Sequence, residues 1–143
     1  MIFADTCIMK IRFLTTFLVL AAFLSSCSSE LAEYSYYKNL PETTGTTRDD
    51  PPLFFIIKVD LGYKWGDKKT QYSLAELKPV INDGLRNLLS GKTAVDYTIE
   101  NEDQLKQEIM EMVNSTIHRY DSFKNVPGVE SVAIVKKQVF EFR

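Results

Sequence analysis

Between Leu53 and Trp65 the chain alternates with a period of two: Phe55, Ile57, Val59, Leu61, Tyr63 and Trp65 fall on one side, and Lys58, Asp60 and Lys64 on the other. Only an extended strand places every second residue on one face, so this segment predicts a strand with one buried face. The opposite face is apolar only at Phe54 and Ile56, and it is expected to reach solvent or a partner. A one-sided strand has to be covered on its apolar side, and the covering elements follow in the sequence. Gly66-Asp67-Lys68-Lys69 first turns the chain.

A helix is expected over about Leu74 to Ser90, with Leu74, Leu77, Ile81, Leu85 and Leu88 on one stripe. Ser73 can cap its start while Glu76 reaches back. Pro79 lies inside this span and is expected to bend the helix, because it removes the hydrogen bond to Ala75. Gly91 stands just past the end, where a left-handed residue is wanted. A second helix is announced by Asn101 as cap, with Gln104 three residues on and Glu102 and Asp103 set against the dipole. Its stripe is Leu105, Ile109, Met112, Val113 and Ile117, and His118 and Arg119 put positive charge at its end. After a loop through Asn125, Pro127 and Gly128, Val129 to Phe142 returns as a strand rich in Val, Ile and Phe. The predicted fold class is therefore α+β, a small sheet with two main helices packed on one face.

The N-terminus carries a different signal. Met9-Lys10-Ile11-Arg12 leads into an apolar run from Phe13 to Leu24 that ends in Leu24-Ser25-Ser26-Cys27. Two cations, an apolar stretch of about a dozen residues and small residues before the cysteine make a lipoprotein-type signal peptide. A bilayer-spanning helix needs roughly 20 apolar residues, and Ser25 and Ser26 break this run; an uncleaved signal anchor is the other reading. Residues 1–26 are thus expected to be removed, with Met9 as the expected start of translation, and Cys27 to carry the lipid. Its thiol can take a diacylglyceryl thioether and its freed amine a further acyl chain, and two or more chains anchor stably. Residues 27–52, rich in Ser, Thr, Glu and Asp, read as a polar tether with a weak edge strand around Tyr34 to Thr47. The folded domain is expected over 53–143.

Cleavage before Cys27 leaves 117 of the 143 residues, a size for one domain with its own core. The net charge of −2 includes Asp5, Lys10 and Arg12, so the mature chain is near −3 and nucleic acid is not an expected partner. Cys7 would be lost and Cys27 lipidated, which leaves no disulfide and no thiolate metal site in the folded part.

No catalytic constellation stands out. Ser90-Gly91-Lys92-Thr93 copies the tail of a phosphate-binding loop, but Arg86 stands where its first glycine belongs, and the stretch ends a helix rather than opening one. His118 is the single histidine, too few for a histidine zinc site or a His-paired nucleophile. Glu100, Glu102 and Asp103 are read as dipole compensation rather than a cation site. Asn114-Ser115-Thr116 matches a glycosylation acceptor but lies mid-helix. The expected site is an interaction surface: first Phe54, Ile56, Lys58 and Asp60, and second Asp83, Arg86 and Asn87 on the outer side of the first helix, together with the tyrosines Tyr34, Tyr36 and Tyr37.

The order of these pieces resembles a specific family. Lys78-Pro79-Val80-Ile81-Asn82-Asp83-Gly84-Leu85-Arg86-Asn87-Leu88-Leu89-Ser90-Gly91-Lys92-Thr93-Ala94-Val95-Asp96-Tyr97, then Leu105-Lys106-Gln107-Glu108-Ile109 with Val113-Asn114, is similar to the flagellar basal body-associated protein FliL. The likeness covers about Leu53 to Phe142. In place of the leucine that follows the family's Asp, this chain has Tyr97. The resemblance implies a non-enzymatic, stomatin/prohibitin-like periplasmic domain with no cofactor beyond the lipid, which assembles into rings around the stator units of the flagellar motor and supports motility. It also implies an inner-membrane helix, whereas this chain has a lipoprotein-type start, and Ser28 after Cys27 favours the outer membrane. A general envelope lipoprotein that acts as a periplasmic binding module is the alternative expectation.

Overall fold

The alternating segment forms the central strand of an antiparallel sheet in the computed structural model, which describes residues 33–141. The strands are β1 (Tyr34–Tyr37), β2 (Thr43–Thr46), β3 (Phe54–Lys64) and β4 (Ser131–Phe140). The helices are α1 (Lys68–Glu76), α2 (Lys78–Ser90) and α3 (Glu102–His118). β4 runs along one side of β3 from Phe54 to Gly62. β1 and β2 share the other side, β1 against Leu61 to Lys64 and β2 against Phe54 to Ile57. The stretch read as tether and edge strand thus supplies two short strands, and Leu40 between them is buried.

The period-two pattern decides which face of β3 is inside. Phe55, Ile57, Val59, Leu61 and Tyr63 pack in one cluster with Leu74, Leu77, Ile81, Leu85 and Leu89 of the first helical stretch and Leu105, Ile109, Val113 and Ile117 of α3. The α+β fold class is as expected, with three helices rather than two against the sheet. Trp65 falls outside β3 and is exposed, so it leaves the buried face on which its spacing had put it. Met112 is half-buried and packs against the core from its margin.

The expected single helix from Leu74 to Ser90 is two helices, interrupted at Leu77. Pro79 does not bend a helix; it sits in the first turn of α2, where backbone N–H groups have no intrahelical acceptor and the ring's fixed φ is already helical. α1 begins earlier than Ser73. Asp67 is its cap and accepts from the N–H groups of Lys69 and Thr70 at 3.1 Å each. Burial pushes the pKa of the Asp67 carboxyl up, but the Thr70 hydroxyl, which donates to Asp67 Oδ2, and then these backbone bonds hold it below the usual carboxylate range. Ser73 is fully buried and donates instead to the Thr70 carbonyl at 2.9 Å. Gly91 ends α2 in a right-handed conformation, φ −79° and ψ −5°, not the left-handed one expected. Asn101 does occupy the N-cap position of α3, but its side chain makes no cap bond; Nδ2 donates to the Val95 carbonyl at 2.9 Å. The last strand opens at Ser131 rather than Val129, and its expected end at Phe142 lies outside the described residues.

Glu102 ties the start of α3 to the sheet. Its carboxylate meets Lys106 one turn on at 2.8 Å and Lys137 of β4 at 2.6 Å. Hydrogen bonds from Lys106 and then Lys137 push its pKa from an ordinary 4.5 down to about 2. A carboxyl with a depressed folded-state pKa stabilises the fold above its unfolded value and loses that contribution as pH falls through the folded one. A Glu102→Gln protein is therefore expected to melt below the parent at pH 7, with the gap closing between about pH 4.5 and pH 2. Thermal melts across that range check it, and a gap that does not change with pH would contradict the ion-pair account.

Candidate functional site

The helices lie on one face of the sheet, and four of the expected contact residues lie on the other. Phe54, Ile56, Lys58 and Asp60 alternate with the buried set, and register sets their neighbours. Phe140 pairs with Phe54, Gln138 with Ile56, Lys136 with Lys58 and Ala133 with Asp60 on the β4 side. Thr46 and Thr44 stand beside Phe54 and Ile56, and Tyr36 and Tyr34 beside Gly62 and Lys64. Directly opposed residues of an antiparallel pair share a face, so these side chains form one surface. Its two ends are aromatic. The Phe54 and Phe140 rings pack 5.3 Å apart at 58°, and Tyr34 and Tyr36 are exposed at the other end.

The middle of the surface is polar. Lys136 reaches Glu42, in the β1–β2 connection, with Nζ 3.1 Å from a carboxylate oxygen. Register shifts by one residue between Lys58 and Val59, leaving Val135 as an extra, exposed residue on β4. Asp60 does not face open solvent as its spacing suggested. It is buried, and among the described residues its Oδ1, like the Oγ of nearby Ser131, has no hydrogen-bond partner. Asp60 pairs with Ala133 of β4 on one side and falls between the β2-paired and β1-paired stretches of β3 on the other, an enclosure that periodicity alone does not register.

Asp83, Arg86 and Asn87 are exposed on α2, on the helical side of the molecule. The two groups of expected contact residues are therefore not brought together. Phe140, Lys136 and Glu42 were not singled out from sequence; only strand register joins them to Phe54 and Lys58. Cys27 lies outside the described residues. Among the described residues no group of three His, Cys, Asp or Glu is placed to hold a metal ion, and no helix is long and apolar enough to cross a membrane.

The other chemical motifs resolve into structural devices. Thr93 opens the 3-10 turn Ala94–Tyr97 as a capping box: its N–H and hydroxyl both donate to Asp96 Oδ2, at 2.8 and 2.9 Å. The backbone bond from Thr93 is the largest cause of the lowered pKa of Asp96. Lys92 pairs with Glu108 of α3, and the Ala94 N–H donates to Asp49 Oδ2 at 2.8 Å. The Lys-Thr-x-x-Asp run is thus a clasp between α2, α3 and the Arg48–Asp50 loop, not a phosphate cradle. His118 Nε2 sits 2.9 Å from the Val126 carbonyl, which can only accept, so that nitrogen carries the proton. Asn114 is no open acceptor for a sugar, because both of its amide atoms are engaged by Val129, as oxygen to N–H at 2.7 Å and as Nδ2 to carbonyl at 2.9 Å.

The family model described as "Flagellar basal body-associated protein FliL" matches residues 36–136, from β1 to β4. The chain belongs to the FliL family. It is similar to the flagellar protein FliL of Borreliella burgdorferi, 27% identical over 106 residues that cover 74% of this chain and 54% of the relative. The flagellar protein FliL of Treponema pallidum is 28% identical over 99 residues, 69% of this chain and 53% of that protein. The chain spans about half the length of these curated relatives. The FliL match takes in the Lys92 to Asp96 clasp and the Asn114 clamp, two of the pieces on which the sequence resemblance rested.

Proposed function

We propose that this chain is a non-enzymatic accessory of the flagellar motor, lipid-anchored through Cys27 on the periplasmic side of the envelope, which scaffolds or stabilises stator units at the basal body. The observation that carries this reading is the extent of the family match, which runs from within β1 to within β4 and takes in β2, β3 and all three helices rather than a single motif. An interaction role also agrees with the helix-free sheet face. It combines exposed aromatic ends with a charged centre, the mixture from which protein interfaces are built. Self-association into a ring, implied by the resemblance, would draw on that face and on Asp83, Arg86 and Asn87 of α2. A general envelope binding module is the second reading, favoured by Cys27-Ser28, a start that differs from the membrane helix of the family.

The test is swimming speed in viscous medium of a deletion strain complemented with the full gene or with Cys27→Ala. Slowed swimming restored only by the acylatable form is the expected result. Unchanged swimming in a flagellated deletion strain would move the assignment to the envelope module. Labelled palmitate entering the Cys27→Ala protein would refute the anchor itself, because the acyl acceptor is gone.

A further inference from the structure

A second concave surface lies between α1 and the loop that follows α3. It encloses about 810 Å³, within the range of small-ligand and peptide sites. Its floor is apolar, made by the buried Leu77 and Val126. Three aromatic rings wall it: Tyr72 from α1, and Tyr120 and Phe123 from the loop. The Tyr72 and Phe123 rings stand 6.2 Å apart, tilted at 59° rather than stacked on one another. Both tyrosines are exposed, Tyr72 of α1 at 60% and Tyr120, in the bend after α3, at 40%.

The charge of the lining has one sign in excess. Glu76 and Asp121 contribute two carboxylates, and Lys69 is the one cation among the lining residues. That ammonium is set against the Asp67 cap, whose carboxylate feels it. Aromatic rings together with an excess of carboxylates over ammonium groups favour a cation over an anion.

We propose that this pocket is a recognition site for an arginine side chain presented by a peptide segment of a partner protein. Guanidinium stacks on tyrosine and phenylalanine faces and pairs with carboxylates in the same plane, which matches what Tyr72, Phe123, Glu76 and Asp121 offer. The volume exceeds what a bare cationic head group fills, and the Leu77 and Val126 floor suits an apolar neighbour in the same peptide. The site rests on the pocket alone; its test is a titration, and the motor role is tested by swimming.

The test is a titration of the full chain in detergent with acetyl-Leu-Arg-Leu-amide, followed by amide chemical shifts. The same peptide with citrulline, the neutral isostere of arginine, is titrated in parallel. Saturable shifts at Tyr72, Glu76, Tyr120 and Phe123 are expected with arginine, weakened about fivefold to tenfold with citrulline or in Tyr72→Ala. The Glu76→Gln/Asp121→Asn double variant should weaken it likewise, while Asp83→Asn on α2 should not. Tyr72 and Glu76 are exposed, so unchanged melting curves will separate lost binding from lost fold. Equal binding of the citrulline peptide, or no saturation at millimolar peptide, overturns the proposal. Tetramethylammonium binding as tightly as the peptide would overturn it in favour of a small quaternary-ammonium site.

Discussion

Replacing Phe55 by alanine is expected to destabilise the domain by about 3–5 kcal/mol, from lost transfer free energy plus an unfilled cavity. The residue is fully buried near the start of β3, between Gly45 of β2 and Val139 of β4. Its ring extends beneath β2: a Cβ on Gly45 would stand 2.7 Å from Phe55 Cζ, so glycine is what the ring leaves room for. Beyond it the ring meets Tyr97 at 5.7 Å between centroids, and the Tyr97 hydroxyl donates to the Leu89 carbonyl at 2.6 Å. One side chain therefore joins β2, β3 and the end of α2. Domains of this size commonly have about 5–15 kcal/mol in total, so the variant should lose much of its stability. Phe55→Leu, which keeps most of the volume, should cost far less. Urea unfolding of the three proteins decides it, and a loss under about 1 kcal/mol for alanine would mean that the site collapses freely around the gap.

Asn114→Ala is the second large effect, expected at about 2–4 kcal/mol because it strands two backbone groups at once. The Val129 N–H and carbonyl are both held by the Asn114 amide, and Val129 is 3% exposed, so water cannot readily replace that partner. The preceding Gly128 has φ +91° and lies so close that a Cβ there would be 2.4 Å from Asn114 Oδ1. Its N–H donates to Thr70 Oγ1, at 3.2 Å, which links the same turn to α1. Left-handed backbone and close approach together select glycine at this position. Asn114→Asp keeps the acceptor, loses the donor and sets a carboxylate against a carbonyl, so it should fall between parent and alanine or beyond. The local readout is hydrogen exchange: the amides of Val129 and of the first residues of β4 should exchange faster than the rest of the sheet. Equal protection throughout would show that the clamp does not hold the start of the strand.

Much of the architecture was legible because burial leaves a periodic trace in a linear chain. The alternation from Phe54 to Tyr63 needs only neighbours two positions away, and the stripes Ile81-Leu85 and Leu105-Ile109-Val113 neighbours four positions away. The start of the first helix was misread because Asp67, which caps it, looked like part of a turn, and Ser73 looked like the cap. Both Asp67 and Ser73 can cap, and Ser73 is instead taken into the core. Pro79 was read as a bend because a proline at N2 of one helix and a proline inside a longer helix look alike until the break at Leu77 is known. The outer sheet face was half visible: spacing marks Phe54, Ile56 and Lys58, while Phe140, Lys136 and Tyr36 join them only through register.

By itself the sequence determined the main apolar stripe of each element, the α+β class and the family, since all three depend on local pattern and order. The tertiary structure decided the rest. It put β1 and β2 on one side of β3, buried Asp60 on a face its spacing called polar, and turned the Lys92 to Asp96 run into a clasp. It also drew Tyr72 and Phe123, 51 positions apart, to the wall of one pocket. The physical reason is common to all four: strand register, shielding by neighbouring strands and pocket walls are contacts between residues far apart in the chain, and no local periodicity encodes such a pairing.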